Sequence, residues 1–483
     1  MGKNMSTLQV KEIQGIVLRG YGSLNHAGFL LLQVQNATLV KGWLGTLPLR
    51  TSEQRPEAAD RCINIAFTAA GLKKLGLAED QLAMFAGEFN EGMTGTEHRR
   101  RILGDHGESS PEQWRWGGPG NDGVDVLLLC YAGDEEALNV VVEREVGDFA
   151  NRGLRLIERL GTVKLPDRKE HFGFRDGISQ PAIMGFDEEG TPGNMVAAGE
   201  FVLGYPNAYG QYTDRPLVNP EQDPQHLLPV APEAASHRDL GMNGSYLVFR
   251  QLSQDVHGFW NYLAGQAPGK FAGDRTQACV ALASKMVGRW PSGAPLVNSA
   301  QADNPALADD NDFMFVRSGD ADGLKCPIGS HVRRSNPRDA LDPEPGSDRS
   351  IEVGNRHRII RRGRAYGPPA AASMQPGEII GEPGDNQERG LHFICFNTHI
   401  GRQFEFIQHT WVNSPKFDGL YEDDDPLIGD RGATEQTRGG VFTVQQEPVR
   451  KRVTGMPRFV TVRGGGYFFM PGISAVRYIA SLK

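Results

Sequence analysis

The sequence predicts an α+β fold in two related halves, and three observations carry that prediction. Three segments each run from an apolar strand into a helix, at 123–146, 243–264 and 391–411. Strands compatible with antiparallel pairing lie between them, which suggests an α+β architecture. At 483 residues the chain is too long for one ordinary core, so two domains are expected.

In chain order, GIVLRGYG (15–22) and AGFLLLQV (27–34) are short apolar runs bounded by glycine, the pattern of buried strands or of a strand leading into a helix. GVDVLLLCYAG (123–133) is a clearer strand. The DEEALNVVVEREV that follows has an acidic start and apolar residues at helical spacing, so it reads as a helix. NGSYLVFRQLSQDVHGFWNYLA (243–264) passes from an alternating strand into a helix beginning near Ser253 or Asp255. In LHFICFNTHIGRQFEFIQHTW (391–411), Phe404, Ile407 and Trp411 share one helix face. Residues 185–242 are rich in Gly, Pro, Asn and Asp and read as an irregular connection, as do 289–325 and 337–356. The acidic run 422-EDDDPLIGDRG-432 reads as a solvated loop, and 463-RGGGYF as a turn. The basic clusters 98-HRRR-101 and 450-RKR-452 read as solvated faces.

Composition narrows the function. A net charge of −8 without a long basic run argues against a nucleic-acid partner. No apolar run approaches the roughly 20 residues that span a bilayer, so no membrane role is expected. The start, MGKNMSTLQVKEIQG, lacks the apolar region of an export signal, and a cytoplasmic location is expected. Cys62, Cys130, Cys279, Cys326 and Cys395 are widely spaced without a CxxC pair and read as reduced, mostly buried thiols. HExxH, GxSxG, the phosphate-binding GxxxxGK[ST] and a strand-borne GxGxxG are all missing, which removes several hydrolase and nucleotide-binding readings.

Three strings remain: HFGFRDGISQP (171–181), CPIGSHVRRSNPRD (326–339) and HRIIRRGRAYG (357–367). Taken singly, an Asp-Gly is a turn, a histidine is a core or surface residue, and an arginine cluster is solvated. Together they resemble the dye-decolorising peroxidases, whose GxxDG turn is read here as Gly173 to Gly177. The resemblance extends over most of the chain in order and spacing, but its specific part is these three strings.

The resemblance implies two ferredoxin-like halves with antiparallel sheets and peripheral helices, with haem held mainly by the C-terminal half. The halves would be 1–184, carrying the GxxDG turn, and 243–483, joined by 185–242. It implies a peroxidase that reduces hydrogen peroxide and oxidises dyes or other aromatic donors. One haem b would be held without a covalent link, since CxxCH is missing. His331 would be the axial iron ligand, and Asp176 the proton shuttle on the other side. Arg361 would stabilise the peroxide anion, with its neighbour Arg362 as the alternative. Gly177, Ile178 and Ser179 would pass along the haem edge. Asn336 and Arg338 would contact the haem, Arg338 as a propionate partner. Leu391 and Phe393 would be apolar residues of the distal pocket.

An axial histidine usually donates its second N–H to a carboxylate, for which Asp425 and Glu405 are both candidates. Large dyes would need an electron path through Trp411 or Tyr366, although the helical stripe also gives Trp411 a packing role. The separation between His331 and Arg361 exceeds the family's usual one, with the surplus in 341–356. A carboxyl catalyst predicts best activity at acidic pH. Two other readings stand beside the peroxidase: a haem-handling protein without turnover, and an interaction protein in which the three strings are turns. Charge and spacing leave oligomerisation open.

Overall fold

The computed structural model describes residues 7–146, 148–188, 190–191, 193–267, 272–431 and 439–483. The first half contains β1 (His26–Val34), α1 (Ala37–Leu44), β2 (Arg61–Phe67), β3 (Val126–Ala132), α2 (Glu135–Val146) and β4 (Leu154–Gly161). The second begins with β5 (Ser245–Gln254), α3 (Val256–Gln266), α4 (Ala272–Val287) and the short α5 (His331–Ser335). It continues with β6 (Ile360–Arg361), β7 (Arg364–Tyr366) and β8 (Gly390–Asn397), and closes the sheet with β9 (Val460–Met470).

Both halves use one topology. The first pairs its strands in the order β4-β1-β3-β2, and the second in the order β9-β5-β8 with β6 and β7 both on β8. The broken β6/β7 strand stands where β2 stands in the first half, so each half is a β-α-β-β-α-β unit of ferredoxin-like order. All of these pairings are antiparallel. Phe469 of β9 pairs with Phe67 of β2, which joins the halves into a single nine-stranded sheet.

The central strands are near-continuously apolar because the sheet is covered on both sides. Leu30, Leu32, Ile65 and Leu128 pack on one face with Val40 and Leu44 of α1. Phe29, Leu31, Leu127 and Phe249 pack on the other with Ile16, Val17 and Trp116.

Several local expectations change. GIVLRGYG is not a strand but a buried one-turn helix, Gly15–Leu18, whose carbonyls receive the Arg362 guanidinium. RGGGYF is not a turn: Gly464, Gly465 and Gly466 lie inside β9. At Gly464 the reason is Trp116, which is 1% exposed, since a Cβ there would overlap its indole ring; at Gly465 a Cβ would meet Met93 Sδ at 2.8 Å. The 185–242 connection contains a three-stranded sheet made of Leu217–Val218, Val230–Ala231 and Ala234–Asp239. The 337–356 loop contains a helix, Asp348–Asn355, capped by Ser347. Strand β5 passes into α3 at Asp255, whose carboxylate accepts the Gly258 N–H. After β8 the chain winds in π-helical turns over Gly401–Glu405 and Ile407–Val412.

Candidate active site

The 170–177 turn is built for Asp176. The Glu170 N–H donates to the Phe174 carbonyl at 2.8 Å, and the Gly173 N–H to the Glu170 carbonyl at 2.9 Å. The Asp176 N–H reaches the Arg168 carbonyl at 3.0 Å. Gly173 and Gly177 have φ of +91° and +81°, which only glycine adopts without strain. The rings of Phe172 and Phe174 seat the turn on Phe259 and Trp260 of α3, at 4.6 and 6.3 Å between centroids.

Asp176 accepts the Gly177 N–H at 2.6 Å and an Arg361 guanidinium N–H at 2.9 Å. Burial acts to raise its pKa, but the charge of Arg361 and these hydrogen bonds outweigh it and hold the carboxyl below its ordinary range. Its side chain is 37% exposed, and that surface faces the cavity described below. Arg361 is held at its backbone by Gln180, which accepts its N–H at 3.1 Å and donates to its carbonyl at 3.2 Å. Arg362 points away, into the one-turn helix, and this removes it as the alternative to Arg361.

His331 opens α5, and the two arginines after it are buried staples. Arg333 donates to the carbonyls of Asp320, Cys326 and Ala321. Arg334 donates to those of Gly329, Trp411, Ser414 and Asp423. With its helix anchored in this way, His331 places Nδ1 3.0 Å from Asp425 Oδ2. The Asp425 carboxylate is itself fixed by the N–H groups of Leu427 and Ile428. Burial lowers the pKa of the His331 ring, and Asp425 more than reverses that, so the pair keeps the imidazole basic. With Nδ1 committed, Nε2 is the nitrogen left for the cavity.

Between the two carboxylate candidates the geometry selects Asp425. Glu405 is occupied elsewhere, accepting from Arg99 at 2.5 Å and from the Tyr467 hydroxyl at 2.7 Å. Two expectations of solvated charge fail here. Arg99 of the HRRR cluster is mostly buried by its pairing with Glu405. Asp423, Asp424 and Asp425 are 1%, 7% and 0% exposed, tied to Thr443, to Val441 and to His331 respectively.

One cavity of about 240 Å³ brings the predicted residues together. Asp176, Gly177, Ile178, Ser179, His331, Asn336, Arg361, Leu391 and Phe393 all line it. Arg338 does not. Its φ of +54° turns the side chain beneath Phe313, 3.9 Å from the ring, and its guanidinium is taken by the Asn311 and Phe313 carbonyls. Arg289 and Arg358 line the cavity instead, together with Glu170; Arg358 lies in the HRIIRRGRAYG string and Glu170 just before HFGFRDGISQP, but no role is expected of them from the sequence. Trp411 and Tyr366 are 5% and 8% exposed. The first packs against Phe406 and His357, and the second stacks on His392, so neither presents its ring to solvent. Among the described residues no cluster of three or more His, Cys, Asp or Glu side chains is placed to hold a metal ion. No helix among them is long and apolar enough to cross a membrane.

No protein-family model matches the chain. It is 30% identical to a dye-decolorizing peroxidase of Mycena epipterygia, over 98% of this chain and 87% of that protein. It is 31% identical to Peroxidase 2 of Mycetinis scorodonius, over 98% and 88% respectively. Among solved structures, a dye-decolorizing peroxidase in complex with 2,6-dimethoxyphenol matches with a TM-score of 0.77 at 26% identity. That match covers 98% of this chain and 100% of the other.

Proposed function

The chain belongs to the dye-decolorising peroxidase family, and from that premise we propose that its cavity takes one non-covalent haem b, with His331 as axial ligand and Asp176 and Arg361 as the groups that act on peroxide. It is a peroxidase, an enzyme that pairs a peroxide with a reducing co-substrate. The observation that carries the residue assignment is the meeting of two hydrogen-bonded pairs, His331–Asp425 and Asp176–Arg361, in one largely apolar cavity.

The residues fit the group. His331 offers a basic ring nitrogen, and Leu252, Ile407, Val412, Leu427 and Val460 give the apolar walls that a flat macrocycle needs. Arg289 and Arg358 are pushed down to about 10 by burial, and among the described residues neither forms an ion pair. Buried cations without carboxylate partners suit the two propionates, a role that passes from Arg338 to these arginines.

A haem held here would supply the redox chemistry of O–O cleavage, with the donor returning the electrons. Asp176, held ionised by Arg361, accepts the proton from one peroxide oxygen and returns it to the other. Arg361 favours the negative charge on the departing oxygen. Asp425 keeps the His331 ring basic and fixes which nitrogen faces the cavity. Since the Asp176 carboxyl lies below its ordinary range, its base form persists into mildly acidic solution.

The donors are dyes or other aromatic molecules, in keeping with the named relatives. A cytoplasmic location is supported by Cys62, Cys279, Cys326 and Cys395, which are buried thiols.

The test is the visible spectrum of haem-loaded wild type and His331→Ala, before and after one equivalent of peroxide. A Soret band that depends on His331 and shifts promptly with peroxide is expected. Protein that takes up no haem overturns the assignment, and haem protein that ignores peroxide overturns the roles of Asp176 and Arg361.

A further inference from the structure

Glu170 lines the same cavity as Asp176, and the chemistry above makes no use of it. Its carboxylate takes three hydrogen bonds: from Phe174 N–H on Oε1 at 3.0 Å, and on Oε2 from Phe172 N–H at 3.0 Å and Gln254 Nε2 at 2.7 Å. Its backbone N–H and carbonyl close the same turn through Phe174 and Gly173. One side chain therefore ties together the residues immediately before Asp176.

The charges around it are few. Lys169 turns its ammonium away, to the Met374 carbonyl at 3.1 Å and Gln375 Oε1 at 2.8 Å. Strand β5 contributes the uncharged Gln254, α3 the rings of Phe259 and Trp260, and β9 the apolar Val460. Asp176 acts on Glu170 as a like charge, and Lys169, next to it in the chain, acts as an opposite one. Burial pushes the Glu170 carboxyl up to about 7, against its three hydrogen bonds, and the negative charge of Asp176 adds to the rise.

We propose that Glu170 is a positioning residue for Asp176: it fixes the turn that aims the Asp176 carboxylate at Arg361 and, on ionising, adds a second negative charge to that wall. The proposal rests on the peroxidase reading. With Glu170 protonated, Asp176 and Arg361 form a neutral pair. With Glu170 ionised a second negative charge stands beside that pair and opposes the charge that builds on the departing oxygen. Reaction with peroxide then slows as the pH rises through the titration of Glu170.

The experiment uses haem-loaded wild type, Glu170→Gln and Gln254→Leu. Two readings are taken from about pH 5 to about pH 9: the second-order rate with peroxide, and the carboxyl C=O stretch in infrared difference spectra. In wild type the rate falls about tenfold near pH 7 while a protonated-carboxyl band is lost. Glu170→Gln loses both the band and the pH step. Its amide also sets an N–H against the turn's own donors, so at acidic pH it reacts about 10–100-fold more slowly than wild type. Gln254→Leu removes a hydrogen bond that favours the ionised form, and moves both the band and the step to higher pH.

An active wild type whose pH profile and band are unchanged in Glu170→Gln overturns the role of Glu170 and leaves the peroxidase reading standing. A wild type inert to peroxide at every pH overturns the peroxidase reading, and this proposal with it. If Glu170→Gln does not fold, an unmoved step in Gln254→Leu overturns the proposal by itself.

Discussion

Asp176 and Arg361 act as one electrostatic unit, because the 2.9 Å contact between them is what keeps a cavity-facing carboxyl ionised. Replacing Asp176 with Asn keeps the shape and removes the base, and should cost about 10²–10⁴-fold in the second-order rate with peroxide while haem uptake is retained. Stopped-flow measurement checks this, and a loss under about threefold would remove Asp176 from proton transfer. Asp425→Asn should act from the other side. It leaves His331 in place but less basic, so haem is retained less firmly, which a competition for haem with apomyoglobin reads directly. Asp176, His331 and Arg361 are legible because each lies in a local string whose neighbours specify it, whereas Asp425 stands undecided beside Glu405 until the fold brings it to His331. Arg338 lay in such a string too and was misplaced, since its left-handed backbone turns it away from the cavity and a sequence does not display φ. Arg289 is not legible because it lies outside all three strings, and Glu170 and Arg358 are not legible because, although beside or within a string, nothing in it separates them from their charged neighbours.

Among the elements, the strand–helix units were the most readable, because strands covered on both faces must be apolar throughout. The failures share one cause. RGGGYF looks like a turn on local glycine content, yet Gly464 is set by the distant Trp116 and Gly465 by Met93 and the Phe249 carbonyl, which stand where side chains of β9 would otherwise be. Gly464→Ala should therefore destabilise the protein by about 1–3 kcal/mol through overpacking. Trp116→Leu in the same chain should recover part of that loss, and urea unfolding of the single and double variants decides whether the two sites are coupled. Of the acidic run 422–425, Glu422 is exposed as expected, but Asp423, Asp424 and Asp425 depart from the solvated reading for a similar reason. Three adjacent acids suggest solvation, but each has a separate buried partner supplied by another element.

At the scale of the molecule, one topology is used twice, and the alternation of β8 divides its side chains between two tasks. Leu391 and Phe393 face the cavity, while His392 faces the sheet's other side against Phe29, Phe249 and Tyr366. That division sets how stability responds to acid. Burial lowers both His392 and His171 to about 4, so each stays neutral in the folded protein where an unfolded histidine takes a proton. Below about pH 6.5 the unfolded chain binds protons that the folded chain refuses, and stability is lost as the pH falls toward about 4. The loss is about 3 kcal/mol for each histidine. Glu170 works in the opposite sense. Its folded value near 7 exceeds the unfolded one, so its contribution declines as the pH rises from about 4.5 through 7. The two trends cross in mildly acidic solution, where the Asp176 base is still ionised. His392→Gln keeps a donor for the Gly161 carbonyl and cannot titrate, so it should flatten the acid side by about 3 kcal/mol relative to wild type. Urea unfolding of both proteins between about pH 4 and about pH 8 measures the difference, and parallel curves would show that His392 is protonated in the folded state after all.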